Sequence, residues 1–94
     1  MSIEKWRDEI DTVDKDLIRL LNIRALLALK IGALKQAAGL SLYDPDRESR
    51  VLKEACRVNE GPLDDRAVIR LFRRIILESR RLEVTKTQAD EARQ

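Results

Sequence analysis

The chain has no histidine and a single cysteine, Cys56, and these two scarcities exclude a good deal of chemistry. Without histidine, the usual acid/base group at neutral pH and the commonest metal ligand are both missing. A lone cysteine supports neither an intrachain disulfide nor a cysteine cluster for zinc. Aromatic residues make up 3% of the chain, with three glycines and two prolines, a composition that favours helices over the turn-rich strands of a sandwich or barrel. Neither sign of charge dominates: 19 Lys+Arg against 17 Asp+Glu leave a net +2, too small and too interleaved to argue for nucleic acid. No apolar run approaches the ~18 residues of a membrane span, and no signal-peptide core opens the chain. The expectation is a soluble cytoplasmic protein with no metal, no cofactor, no membrane contact and no nucleic-acid partner.

What is present is helical periodicity. Trp6, Ile10, Val13, Leu17 and Leu20, then Leu27, Ile31, Leu34 and Ala38, follow alternating steps of four and three, the pattern of a helix face laid along another helix. The step after Leu20 lands on Arg24, where a guanidinium must snorkel out or meet an anion. Ser2 is placed as an N-cap with Glu4 in the first turn, and Gly39 stands where a helix C-terminus takes glycine. One helix from Ile3 to about Ala38 would be roughly 54 Å long, against roughly 30 Å for a compact domain of this size. Its own chain is too short to cover it, and a domain of 94 residues gains from burial against a second subunit.

Asp44-Pro45-Asp46-Arg47-Glu48 starts a second helix: an aspartate cap, proline at the first helical position and acids in the first turn. Glu48, Val51, Leu52, Ala55 and Val58 share a stripe, and Asn59-Glu60-Gly61-Pro62 stops the helix after about four turns. Asp64 caps a third, whose inward face runs through Val68, Ile69, Phe72, Ile75, Ile76, Ser79, Leu82 and Glu83. Its arginines, Arg80 and Arg81 among them, read as a solvated face, and residues 87–94 as a frayed tail. The fold expected is all-α, one domain over residues 1–94, with helices long, short and medium.

Each helix carries polar residues on its inward side. Arg24 and Lys35, eleven residues apart, point the same way about 16 Å from one another. Glu48 interrupts the second stripe; Ser79 and Glu83 continue the Phe72–Ile76 face. Singly, each has an ordinary explanation. A seam arginine more often snorkels or pairs than grips a ligand, Lys35 suits a helix C-terminus, Asp44 is first a cap, and Ser79 bonds back to a carbonyl. Together they point to a polar pocket inside a helical bundle.

Five segments in order, Trp6–Asp14, Leu20–Arg24, Ile31–Lys35, Asp44–Glu48 and Leu71–Ser79, make the chain resemble the all-helical chorismate mutases, which rearrange chorismate to prephenate on the route to phenylalanine and tyrosine. The resemblance covers nearly the whole chain and implies an intertwined homodimer of three-helix chains with two equivalent sites and a small dianionic substrate. It implies that Arg24 binds one substrate carboxylate, that Arg7 reaches toward the other from the partner chain, and that Lys35 bonds the ether oxygen and a carboxylate. Asp44 and Glu48 would hold the hydroxyl end, Arg47 would join the carboxylate-binding shell, Ser79 would add a polar contact, and Ile31 and Ile76 would form apolar walls. Glu83 stands where many relatives have glutamine, the second group facing the ether oxygen. Independently of the resemblance, Arg7 lies about 42 Å along a straight helix from Lys35, so both reach one small molecule only if two chains contribute.

The implied reaction is intramolecular and moves no proton, so a chain without histidine can support it. Arginines clamp the reactive conformer, and Lys35 meets charge growing on the ether oxygen. At Glu83 an ionised carboxylate would repel that oxygen and a protonated one would donate to it; burial favours the protonated form, while Lys35 and the arginines oppose it. Other readings are an isochorismate-pyruvate lyase, a noncatalytic regulatory helical dimer, and a piece of, or partner for, another aromatic-pathway enzyme. A nucleic-acid-binding dimer is the weakest of them.

Overall fold

A computed structural model describes residues 2–93. Three helices follow in order: α1 (Ile3–Ala37), α2 (Pro45–Val58) and α3 (Asp65–Ala92). Among the described residues there is no strand.

Each helix begins where a side chain can accept an otherwise unpaired N–H. Ser2 accepts from the Lys5 amide, Asp44 from Arg47 with Pro45 at the first position, and Asp64 from Ala67; each such cap stabilises its helix by about 1 kcal/mol. The end of α1 is equally specified. The Leu40 amide donates to the Lys35 carbonyl at 2.8 Å and the Gly39 amide to Gln36 at 3.1 Å, with Gly39 at φ 69°. This paired closure needs a left-handed residue, which glycine supplies without steric cost. Lys35 is thereby fixed in the last turn.

α3 is the spine of the molecule: it packs on both α1 and α2, which do not pack on each other. Along the first of these contacts positions rise together, Arg24 bonding Ser79 and Gly32 lying under Glu83, so α1 and α3 run in the same sense. The molecule measures 59 × 28 × 15 Å with a radius of gyration of 16.8 Å, where a compact domain of this length has about 12 Å. The core is correspondingly small. Ala55 and Val68 are the buried apolar side chains, and no large side chain among the described residues is fully buried.

At the far end the structure corrects one expectation. α3 does not fray after Lys86 but continues to Ala92; Gln94 lies outside the described residues. No glycine or proline occurs beyond Pro62, helix-favouring Glu, Lys, Gln and Ala predominate, and Lys86 pairs with Asp90 one turn on at 3.3 Å, so polarity there marks a solvated helix and not a loose end.

Candidate active site

The C-terminal half of α1, the start of α2 and the middle of α3 enclose a cleft of about 310 Å³. Its walls hold four cations, Arg24, Lys35, Arg47 and Arg80, and three carboxylates, Asp44, Glu48 and Glu83. Leu27, Ile31, Val51 and Ile76 supply apolar surface between them. Of the site residues expected from the sequence, Arg24, Ile31, Lys35, Asp44, Arg47, Glu48, Ile76, Ser79 and Glu83 all line this one cleft. Arg7 does not. It sits near the opposite end of α1, exposed and paired with Glu4 at 2.9 Å.

Contacts between elements set the geometry. Arg24 Nη1 donates to Ser79 Oγ at 3.1 Å, and among the described residues Ser79 is the buried polar one, at 9% exposure. A fixed hydroxyl thus orients the guanidinium while leaving its remaining N–H groups available to a carboxylate. Asp44 divides its oxygens: Oδ1 accepts from the Arg47 amide at 3.0 Å, and Oδ2 lies 3.8 Å from Lys35 Nζ. The cap that starts α2 is therefore also the counter-charge for the lysine that ends α1.

Arg80 corrects the expectation of a solvated face. It crosses the cleft to pair with Glu48, and its Cζ lies 5.1 Å from the centre of the Tyr43 ring, within range of a cation–π attraction. The signal was present in the sequence: Arg80 follows Ile76 by four residues, the spacing that puts both on one face. The many arginines around it masked that register. Glu48 thus has its partner on α3, in Arg80.

Glu83 is half-buried against α1 at Gly32. Burial pushes its carboxyl up from the ordinary glutamate value, against the fields of Lys35, Arg80 and Arg24, which favour the charged form. Desolvation outweighs three nearby cations because the side chain lies on the α1 backbone at Gly32, where a Cβ would stand 3.1 Å from Glu83 Oε2. Burial thus favours the protonated form of a carboxyl that faces the same cleft as Lys35, and only that form can donate a hydrogen bond.

The cleft is thus suited to a small anion: Arg24 is set by Ser79, Lys35 and Glu83 face it from α1 and α3, and Arg47 stands among the acceptors at the start of α2. Comparison with known proteins gives the same answer. The family described as chorismate mutase type II matches residues 6–84. A bifunctional chorismate mutase/prephenate dehydratase of Neisseria gonorrhoeae is 46% identical over 72 residues, 77% of this chain and 19% of the relative. One of the same name from Aquifex aeolicus is 36% identical over 78 residues, 79% of this chain and 22% of the relative. The chain thus spans about a fifth of the length of these curated relatives. Among solved structures, a chorismate mutase of Thermus thermophilus (form II) superposes with a TM-score of 0.85 and 38% identity, over 86% of this chain and 92% of that one. With three helices, a cleft of this composition and a match from Trp6 to Val84, the chain belongs to the chorismate mutase type II family.

Proposed function

We propose that the chain catalyses the rearrangement of chorismate to prephenate in aromatic amino acid biosynthesis, acting in the cytoplasm as an intertwined homodimer. The observation that carries the reading is one cleft lined by Arg24, Lys35, Arg47 and Arg80, with Glu83 facing the same space. In this reaction a carbon–oxygen bond breaks as a carbon–carbon bond forms within one molecule. No covalent intermediate is needed, and the protein supplies conformation and field. Arg24, held by Ser79, and Arg47 clamp carboxylates and favour the folded conformer in which the two ends of the substrate meet. As the ether bond stretches, negative charge grows on its oxygen. The Lys35 ammonium and the protonated Glu83 carboxyl then bind the transition state more tightly than the ground state. Asp44 and Glu48 receive the substrate hydroxyl, with Lys35 and Arg80 balancing their charge.

The site is completed by a second copy. Trp6, Ile10, Val13 and Leu17 are 47%, 57%, 62% and 51% exposed and continue the apolar register of the cleft half of α1. This face supports an antiparallel two-fold pairing of the long helices, which would carry the partner's Arg7 to the Arg24–Lys35 stretch and give the substrate its second carboxylate clamp. The names of the bifunctional relatives support a coupling, by fusion or association, to another enzyme of the same pathway.

The test is loss of chorismate absorbance with the purified chain, run in parallel with isochorismate and with sedimentation of the sample. Conversion of chorismate to prephenate by a dimer is expected. Release of pyruvate from isochorismate alone would make the chain a lyase. Binding of prephenate with no turnover of either compound would make it a noncatalytic module.

A further inference from the structure

Gly32 is the buried residue of α1, in the interior of a 35-residue helix, where glycine weakens the helix relative to alanine. No backbone requirement explains it, since Gly39 and Gly61 are the glycines with positive φ and Gly32 is not among them. The space beside it does. A Cβ at position 32 would stand 3.1 Å from Glu83 Oε2, 3.2 Å from Glu83 Cγ and 3.5 Å from Glu83 Cβ. The three atoms nearest to that position all belong to one residue, Glu83, whose carboxyl lines the cleft. Gly32 also precedes Lys35 by three residues, so a group lying over Gly32 shares a helix face with the lysine.

We propose that Gly32 is a positioning residue for the reaction proposed above: its missing side chain makes a notch in α1 that seats Glu83 one helical turn from Lys35 and sets the spacing of the two groups that face the breaking bond. The notch also controls exposure. Seated, the carboxyl is shielded by the α1 backbone; lifted out, it enters a cleft whose walls carry Lys35 and Arg24 on α1, Asp44, Arg47 and Glu48 at the start of α2, and Arg80 on α3. Better solvated there, a displaced Glu83 gives up its proton more readily. One substitution on α1 therefore alters both the position and the protonation of a group on α3. The inference rests on the function proposed above for its kinetic consequences, and not for the structural ones.

The experiment compares wild type with Gly32→Ala, Glu83→Asp and Gly32→Ala/Glu83→Asp, reading thermal stability, kcat and KM against pH, and the Glu83 carboxyl titration by carbon-13 NMR. Alanine favours the helix, so Gly32→Ala is expected to fold with a Tm no lower than wild type. Its kcat is expected to fall about tenfold with KM within about threefold, the cost of moving a catalytic group by a fraction of an ångström. The alkaline fall-off should shift to lower pH, and the Glu83 titration should shift toward the ordinary glutamate value. The shorter aspartate in the double variant relieves the contact, so its loss should be smaller than the two single losses multiplied. A Gly32→Ala variant with wild-type kcat and an unchanged Glu83 titration would overturn the proposal, as would a lowered Tm with the pH profile unmoved, the mark of a residue that serves helix packing alone. The NMR titration needs no turnover. A wild type inactive on chorismate would sink the functional reading and leave the notch to be decided by the carboxyl.

Discussion

The two halves of α1 are one unbroken helix in two different environments. From Arg24 to Lys35 it leans on α3, buries Gly32 and lines the cleft. From Ile3 to Leu20 every residue is exposed, and the apolar stripe through Ile3, Trp6, Ile10, Val13, Leu17 and Leu20 stays about half exposed or more, as does its continuation through Leu27, Ile31 and Leu34. The stripe is thus open along the whole helix, and the chain covers only the neighbouring face of one half, at Arg24, Ala25, Ala28, Gly32 and Lys35, which fits the second copy proposed above. The comparison teaches that periodicity records burial without recording who does the burying. It also divides the cations: Arg24 and Lys35 meet their counterparts within the chain, while Arg7 has only its neighbour Glu4.

The sharpest break of the comparison is made at the cleft end. Lys35→Ala should lower kcat by about 10³-fold, the scale for removing a principal donor to a developing oxyanion, with a dimer that still forms; a near-wild-type rate in the absorbance assay would take Lys35 out of the chemistry. At the other end, Arg7→Ala should cost about 10²-fold in kcat/KM while its own chain's cleft stays intact. Mixing and refolding Arg7→Ala chains with Lys35→Ala chains tests the division directly. Half of the dimers formed are mixed, and one site in each mixed dimer has both groups, so about one quarter of wild-type activity should return. No recovery would mean that Arg7 does not act across the interface.

A milder change sharpens the corner between α1 and α3. Since burial raises the Glu83 pKa and the protonated form is the donor, wild-type activity should fall as pH rises through that pKa, and Glu83→Gln, which cannot ionise, should lack that limb of the profile. An inactive Glu83→Gln beside a wild type with no such limb contradicts the protonation argument. Arg80→Gln frees Glu48 next to Asp44, one turn away, and should raise KM several-fold with a smaller change in kcat, the scale of a partly exposed charge pair. Smallest of all, Asp64→Ala removes the α3 cap and should cost about 1 kcal/mol in denaturant unfolding, with kcat/KM unchanged because position 64 is remote from the cleft.

Much of this architecture was legible in the residues. Ser2, Asp44-Pro45 and Asp64 announce helix starts because caps are local chemistry, decided by a side chain and an amide three residues on. Arg24, Lys35, Glu48, Ser79 and Glu83 stood out because each put a polar group on an apolar stripe, and the structure gathers them around one cleft. Arg80 was lost because a cation among cations leaves no contrast; only the placement of Glu48 and Tyr43 across the cleft singles it out. The extent of α3 was underestimated for a related reason. Falling hydrophobicity ends a buried face but not a helix, and the turns up to Ala92 are held by backbone bonds and intrahelical pairs that need no core. The notch at Gly32 was illegible, because its meaning lies in a residue 51 positions away in sequence.

Because α1 runs from Ile3 to Ala37 without a break, it behaves as a screw whose phase is shared by everything mounted on it. Inserting or deleting one residue between Leu20 and Arg24 would turn the two ends by about 100° relative to each other, swinging Lys35 off the cleft or Trp6 away from any mate. The connection at residues 59–64 carries no such phase and can change length at little cost, whereas residues 38–44 hold Asp44 against Lys35. Variation in length should therefore collect between α2 and α3, while the residue count of the first helix stays constant.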